Sequence, residues 1–384
     1  MRQMMVLIAA ACLLGLVAMP VATQAQERAQ ADQAELEKQV QELKEKVTAL
    51  EQKIGPDKTA TGTPLQAALA ALKLTGGISA GFFYTSNPGL DTSDSEFLLS
   101  NLLVEIAPKD ETAPAGFAAA LGQTSTPSLL GTPENSDSLN IEYASLTVTP
   151  VSSLSVEVGL LQPNAGYENS YTYNNKNAFL GALASQQPYN AYGARLGYNV
   201  AGLDLWTGYF KDRLDDEEYA TNDAVAKQSW EIGLSGTWAD SDVSLYHYHL
   251  TGLRSLTGAV IERTFGRVDM ALNLDYWRWE GDQKRAHESD EAIGAAVYIV
   301  PHFGRFSIPV RLEYIDQDKS GIFLESIDAR QIYAATVSPT YHLRDNLYVR
   351  ADLGYVRADD GFADDDGKIK SDRICLAAEV GYLF

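Results

Sequence analysis

Cysteine is almost missing from this 384-residue chain, which has only Cys12 and Cys375. Cys12 sits in an apolar N-terminal run. Cys375 therefore stands alone in the remainder, and no intramolecular disulfide or cysteine-based zinc cage can be built there. Long apolar runs are missing too: beyond residue 25 no stretch of about 18 apolar residues could carry the chain across a bilayer as a helix. Cations are also scarce, with 30 Lys and Arg against 51 Asp and Glu and a formal charge of −21. Phosphate backbones are bound by clustered Lys and Arg, so this balance argues against nucleic acid as a partner.

What is present begins with an export pattern. Arg2 precedes the apolar run from Met4 to Val21, and small Thr23 and Ala25 follow, so residues 1–25 read as a signal peptide cleaved before Gln26. From there Leu36, Val40, Leu43, Val47, Leu50 and Ile54 alternate steps of four and three, which predicts a coiled coil over 26–54. β-Branched residues at one seam position and leucine at the other favour two strands; a single amphipathic helix is the alternative for so short a run. Gly55 and Pro56 end the helix, and 55–73 reads as a linker.

Residues 74–384 change period from helical to two. At the C-terminus Ile374, Leu376, Ala378, Val380, Tyr382 and Phe384 share one face while Arg373, Cys375 and Glu379 share the other. The same alternation recurs where Leu347, Val349 and Leu353 flank Arg350 and Asp352, where Ile308, Val310 and Leu312 flank Arg311 and Glu313, and where Met270, Leu272 and Leu274 flank Asp269 and Asp275. Trp230 and Trp238 bracket one apolar face, eight residues apart, close to the spacing of two interfacial aromatic girdles. Tight links near Val151–Ser153, Ala201–Gly202, Ala239–Ser241, Gly266 and Arg344–Asn346 alternate with long polar ones, of which 164–191 is the longest. Short turns on one rim and long loops on the other predict an all-β fold, a transmembrane antiparallel barrel of about sixteen strands in a bacterial outer membrane, with the stalk in the periplasm.

Three segments carry a resemblance to a known group: the alternating strand ending at Phe384, the opening segment Leu74–Tyr84, and the strand-to-loop passage Leu160–Glu168. The chain resembles the outer-membrane porins, and more loosely the OmpL-like β-barrel porins, over Leu74–Phe384. The resemblance implies that Val380, Tyr382 and Phe384 form the signal read by the barrel-assembly machinery, that the third long loop folds into the lumen, and that the assembly is a homotrimer. The trimer conflicts with the two-stranded heptad preference and is favoured, because barrel contacts can outweigh three short heptads.

With that orientation the candidate pore-lining charges are Glu157, Asp204, Glu231, Asp269, Asp275, Glu313, Asp352 and Glu379 against Arg195, Arg311, Arg350 and Arg373. Excess carboxylate favours cations in a water-filled channel for small hydrophilic solutes; the alternative is that cross-strand pairing neutralises each charge. Tyr171, Tyr173, Lys176, Phe179 and Tyr189 are the candidates for narrowing the pore from the long loop. The expected partners are outer-membrane lipid and lipopolysaccharide. A second function makes the barrel an anchor whose coiled coil ties the membrane to peptidoglycan. His247 and His249 share a face but lack a third ligand, so no metal or cofactor is expected, and no nucleophile, base and oxyanion arrangement suggests an enzyme.

Overall fold

The computed structural model describes residues 70–88, 94–110, 113–131, 138–211, 228–280, 289–323, 329–363 and 367–384. The chain divides into Met1–Ala67 and Ala68–Phe384. The signal peptide, the coiled coil and most of the linker fall outside the described residues.

The second unit is one sheet of eighteen ladder segments: β1 Leu72–Thr85, β2 Ser95–Pro108, β3 Ala115–Thr124, β4 Asn140–Val151, β5 Leu154–Leu161, β6 Ala191–Val200, β7 Leu203–Lys211, β8 Gln228–Trp238, β9 Ser241–Leu250, β10 Arg254–Phe265, β11 Val268–Trp279, β12 Glu291–Phe303, β13 Phe306–Ser307, β14 Val310–Asp316, β15 Gln331–Val337, β16 Thr340–Arg344, β17 Leu347–Ala363 and β18 Ile369–Leu383. Each pairs antiparallel with its neighbours, and β1 pairs with β18 from Gly77 opposite Leu383 to Thr85 opposite Cys375, which closes the sheet. Closure leaves no edge with unpaired backbone groups, the condition for crossing a bilayer with strands.

Eighteen segments make sixteen barrel strands because two strands are interrupted. β13 and β14 are one strand broken at Ile308–Pro309, and β15 and β16 one strand broken at Ser338–Pro339; both pieces of each pair with the same neighbours. Proline lacks the N–H that a ladder needs. The gap is bridged in part by Ser338 N–H donating to the Pro309 carbonyl at 2.8 Å.

Burial follows the two-residue period. On β18, Arg373, Cys375, Ala377, Glu379 and Gly381 are buried while Ile374, Leu376, Val380 and Tyr382 are exposed. The outer face therefore carries large apolar side chains, an arrangement that lipid rather than water stabilises. Trp230, Tyr276, Tyr314, Tyr333 and Tyr355 stand exposed towards the long-loop rim, and Tyr198, Trp238, Phe303, Tyr341 and Tyr382 towards the other. These are two girdles of the kind that sit at headgroup level.

The turns explain the short rim. Ala201 and Gly202 both have positive φ, as do Ala239 and Asp240, the geometry of two-residue hairpins whose twist matches the flanking strands. On the opposite rim one link departs from the alternation of short and long: β9 and β10 are joined by only Thr251–Leu253, with the buried Leu253 folded back and its carbonyl accepting from Glu280 N–H at 2.7 Å.

Candidate pore and its inserted loop

Between β5 and β6, residues 162–190 form the longest of the described connections, with only two 3-10 turns, Thr172–Asn174 and Ala184–Gln186. A surface loop would expose its side chains. Here Tyr171, Thr172, Asn177, Phe179 and Leu183 are buried, and their partners are inward-facing residues across the barrel.

Each partner on the wall is a polar group that the two-residue period points inward. Asp352 on β17 accepts from the N–H of Ala178 at 2.6 Å and of Phe179 at 3.1 Å. Glu313 on β14 accepts from Leu183 N–H at 2.9 Å. Its neighbour Arg311 pairs with Glu313 at 3.1 Å and with the loop's Glu168 at 2.5 Å, and also donates to the Phe179 carbonyl. Arg350 donates to the carbonyls of Asn175 and Thr172 while pairing with Glu379 on β18. Thr172 Oγ1 reaches both Glu379 at 2.9 Å and Asn101 on β2 at 2.7 Å. On β11, Asn273 and Asp275 accept from the Gln187 amide at 3.0 and 2.8 Å. Burial pushes the Tyr171 and Tyr173 phenols upward, with nearby carboxylates adding to it, so both loop tyrosines stay neutral.

These bonds make the loop part of the wall. Arg311 is 0% exposed and its two carboxylates are nearly as buried. Removing one partner from such a group leaves an uncompensated charge, at a cost of about 3–5 kcal/mol. The carboxylates on strands and the N–H groups of an otherwise irregular loop thus satisfy each other, and neither would be stable in this environment alone.

A second loop, between β3 and β4, joins the first. Ser128 bridges Leu180 in parallel; Leu129 N–H donates to Leu180 at 3.0 Å and Leu180 N–H to Pro127 at 2.8 Å. Arg373 holds it from the wall by donating to the carbonyls of Leu130 and Gly131, and also donates to the Asn87 carbonyl in the β1–β2 connection.

The opposite arc, β4 to β9, is more open. The first leg of the loop, from Gln162 to Asn169, roofs a cavity of about 830 Å³ that extends towards the short-turn rim past Ser155, Glu157, Arg195, Asn199, Asp204 and Ser235. Arg195 is held there by Glu157 at 3.0 Å and Glu231 at 2.6 Å, and Asn199 donates to Asp204 at 2.6 Å. On the other side of the loop, Thr124, Glu142, Ser170, Ser185, Tyr189, Asn190 and Phe323 border a cavity of about 650 Å³. The loop passes from one cavity to the other between Asn169 and Ser170.

The candidate charges from the sequence fall into two groups. Asp275, Arg311, Glu313, Arg350, Asp352, Arg373 and Glu379 are buried beneath the loops, whereas Glu157, Arg195, Glu231 and Asp204 surround the larger cavity or its wall. Asp269 is half-buried and hydrogen-bonds His302 at 2.8 Å. Of the loop candidates, Tyr171, Tyr173 and Phe179 are buried in packing, and Lys176 and Tyr189 are exposed. His247 and His249 lie against Trp230, and among the described residues no group of three or more His, Cys, Asp or Glu could hold a metal. Sequence reasoning missed Glu168, Asn101, Thr172, Gln187 and Asn273. Only Glu168, the one carboxylate in the long loop, carried a legible signal: a lone carboxylate facing a strand of alternating Arg and Glu.

A closed sixteen-strand antiparallel barrel with an apolar belt and an infolded third loop defines an outer-membrane channel fold. Residues 71–384 match the family described as "Putative beta-barrel porin-2, OmpL-like", and the chain belongs to that family. Solved structures agree on the fold. The outer membrane channel DcaP of Acinetobacter baumannii is 12% identical with a TM-score of 0.55, over 82% of this chain and 97% of that one. An anion-selective porin from Comamonas acidovorans is 12% identical with a TM-score of 0.54, over 82% and 99%. OmpT of Vibrio cholerae in its trimer form is 10% identical with a TM-score of 0.53, over 82% and 99%. Comparison with curated proteins gave no match.

Proposed function

We propose that this outer-membrane barrel is a passive diffusion channel for small hydrophilic solutes, whose water-filled path runs along the β4–β9 arc. The observation that carries this reading is the asymmetry of the loop. Its crossing segment is bonded to β2, β11, β14, β17 and β18, while the larger cavity lies against β4 to β9 and the loop's first leg, and the smaller one against β3, β4, the β3–β4 loop and the loop's return leg. The path enters the outer cavity, passes the Asn169–Ser170 step and leaves through the inner one.

Charge along that path supports a mild cation preference. Glu157 and Asp204 at the larger cavity and Glu142 at the smaller one outnumber Arg195, which is already paired twice. Fixed carboxylates concentrate cations in a narrow aqueous passage. Purified protein in planar bilayers is expected to give stepwise conductance, and a salt gradient a cation-leaning reversal potential. A folded barrel without conductance would refute the channel.

A homotrimer is supported by the distribution of outer-face aromatics. Tyrosine and tryptophan stand exposed on β6, β7, β8, β11, β14, β15 and β17, whereas β2 to β5 expose Phe97, Phe117, Leu121, Ile141, Leu146, Val148 and Val158. An apolar arc without polar-tipped rings suits protein contact better than a headgroup interface. Phe384, exposed beside Tyr382 at the end of the closing strand, is the proposed contact of the barrel-assembly machinery.

A further inference from the structure

The short-turn rim is not uniform around the barrel. Along β4 to β7 its hairpins are Val151–Leu154 and Val200–Leu203, and neither contains a charge. Three consecutive hairpins further round differ. Arg267 stands in the β10–β11 turn, Arg305 in the β12–β13 turn and Arg344 beside the β16–β17 turn. All three are exposed. Neighbouring hairpins are two strand spacings apart, roughly 10 Å, so the three guanidinium groups form a row.

In a chain with a formal charge of −21, arginines at such positions would be expected to find carboxylates. They do not. None of the three forms an ion pair among the described residues, although Arg263 nearby lies 3.6 Å from Asp240. The Arg305 guanidinium donates to the Leu343 carbonyl at 3.3 Å. Each hairpin also carries large exposed apolar side chains beside its arginine: Phe265, then Phe303, then Tyr341 and Leu343. Arg263 stacks on the Phe265 ring at 4.9 Å.

Exposed arginine above an aromatic belt is the chemistry of a phospholipid headgroup site: the rings sit at glycerol level and the guanidinium groups bind phosphate. We infer that the rim from β10 to β17 binds anionic phospholipids of the periplasmic leaflet. The inference takes from the preceding reading only that the short-turn rim faces the periplasm; it does not depend on conduction.

The test is native mass spectrometry of the full-length protein equilibrated with equal amounts of phosphatidylglycerol and phosphatidylethanolamine. The wild type should retain phosphatidylglycerol preferentially, by roughly fivefold for each arginine engaged. The triple variant Arg267→Gln, Arg305→Gln, Arg344→Gln should lose that preference with unchanged heat stability and conductance, and Arg357→Gln, an exposed arginine on β17 towards the long-loop rim, should keep it. If the triple variant assembles poorly, each single variant should reduce the ratio in part. Equal retention of the two lipids by the wild type, or a preference that survives in the triple variant, would overturn the inference. A wild type that selects phosphatidylglycerol yet does not conduct would refute the channel and leave the lipid site standing.

Discussion

The two halves of the inner wall are built from the same alternating pattern and end differently. On the arc from β11 through β18 to β2, inward charges are sealed under the loops and bonded to loop N–H groups and carbonyls. On the arc from β4 to β9, Glu157, Arg195 and Asp204 border a cavity of about 830 Å³, and only Glu231 is sealed, against Arg195 and the Asn164 N–H. Alternation decides which way a side chain points; what it meets there is decided by a segment with no periodicity at all. An inward carboxylate is therefore a structural group on one side and a proposed selectivity group on the other.

Substitutions can break or sharpen this contrast. The largest effect is expected from Arg311→Ala, which would leave Glu168 and Glu313 facing each other in a buried site. Destabilisation of about 3–5 kcal/mol should appear as a lower unfolding temperature by heat-modified gel mobility. Val380→Arg tests the outer face instead: a cation in the lipid belt, just inside the Tyr382 girdle, should cost about 1–3 kcal/mol, between the interfacial and mid-bilayer values, and reduce the yield of assembled barrel. Asp352→Asn removes charge from the acceptor of two loop N–H groups, weakening loop docking by about 1.5–3 kcal/mol while sparing the barrel. Its signature would be larger and noisier single-channel conductance. Glu157→Gln, on the open arc and partly exposed, should change stability by less than about 1 kcal/mol. Its effect should instead be a reversal potential shifted away from cations.

The closed barrel was legible because closure and lipid contact impose a repetitive signal. Strand after strand repeats an apolar outer face, and the tight turns at Ala201–Gly202 and Ala239–Asp240 punctuate it. The alternation of Ile308, Val310 and Leu312 runs unbroken through Pro309, so the interruptions of two adjoining strands at Pro309 and Pro339 could not be read from it. The loop was legible only as a long polar connection. Its burial depends on single contacts such as Gln187 with Asp275 and Thr172 with Asn101, between residues 70 to 90 positions apart whose types have many other uses. The same holds for Glu379. A carboxylate on an inward face suggests a water-lined wall, yet this one is shared among Arg350, Thr172 and Ser100 and carries the loop. Glu379→Gln is accordingly expected to loosen the loop, with selectivity unchanged as long as the loop stays docked.

The contrast between the arcs is tested most directly by cysteine accessibility, since the native Cys375 is buried and should be silent. Single cysteines replace Ser155 and Ser235 on the open arc and Ser338 on the sealed one, and a bulky water-soluble thiol reagent is applied during single-channel recording. Ser155→Cys and Ser235→Cys should be modified quickly and conductance should drop, while Ser338→Cys should stay unmodified in the folded barrel. Fast modification and block at Ser338→Cys, with Ser155→Cys and Ser235→Cys unaffected, would place the path on the other side of the loop and contradict the account.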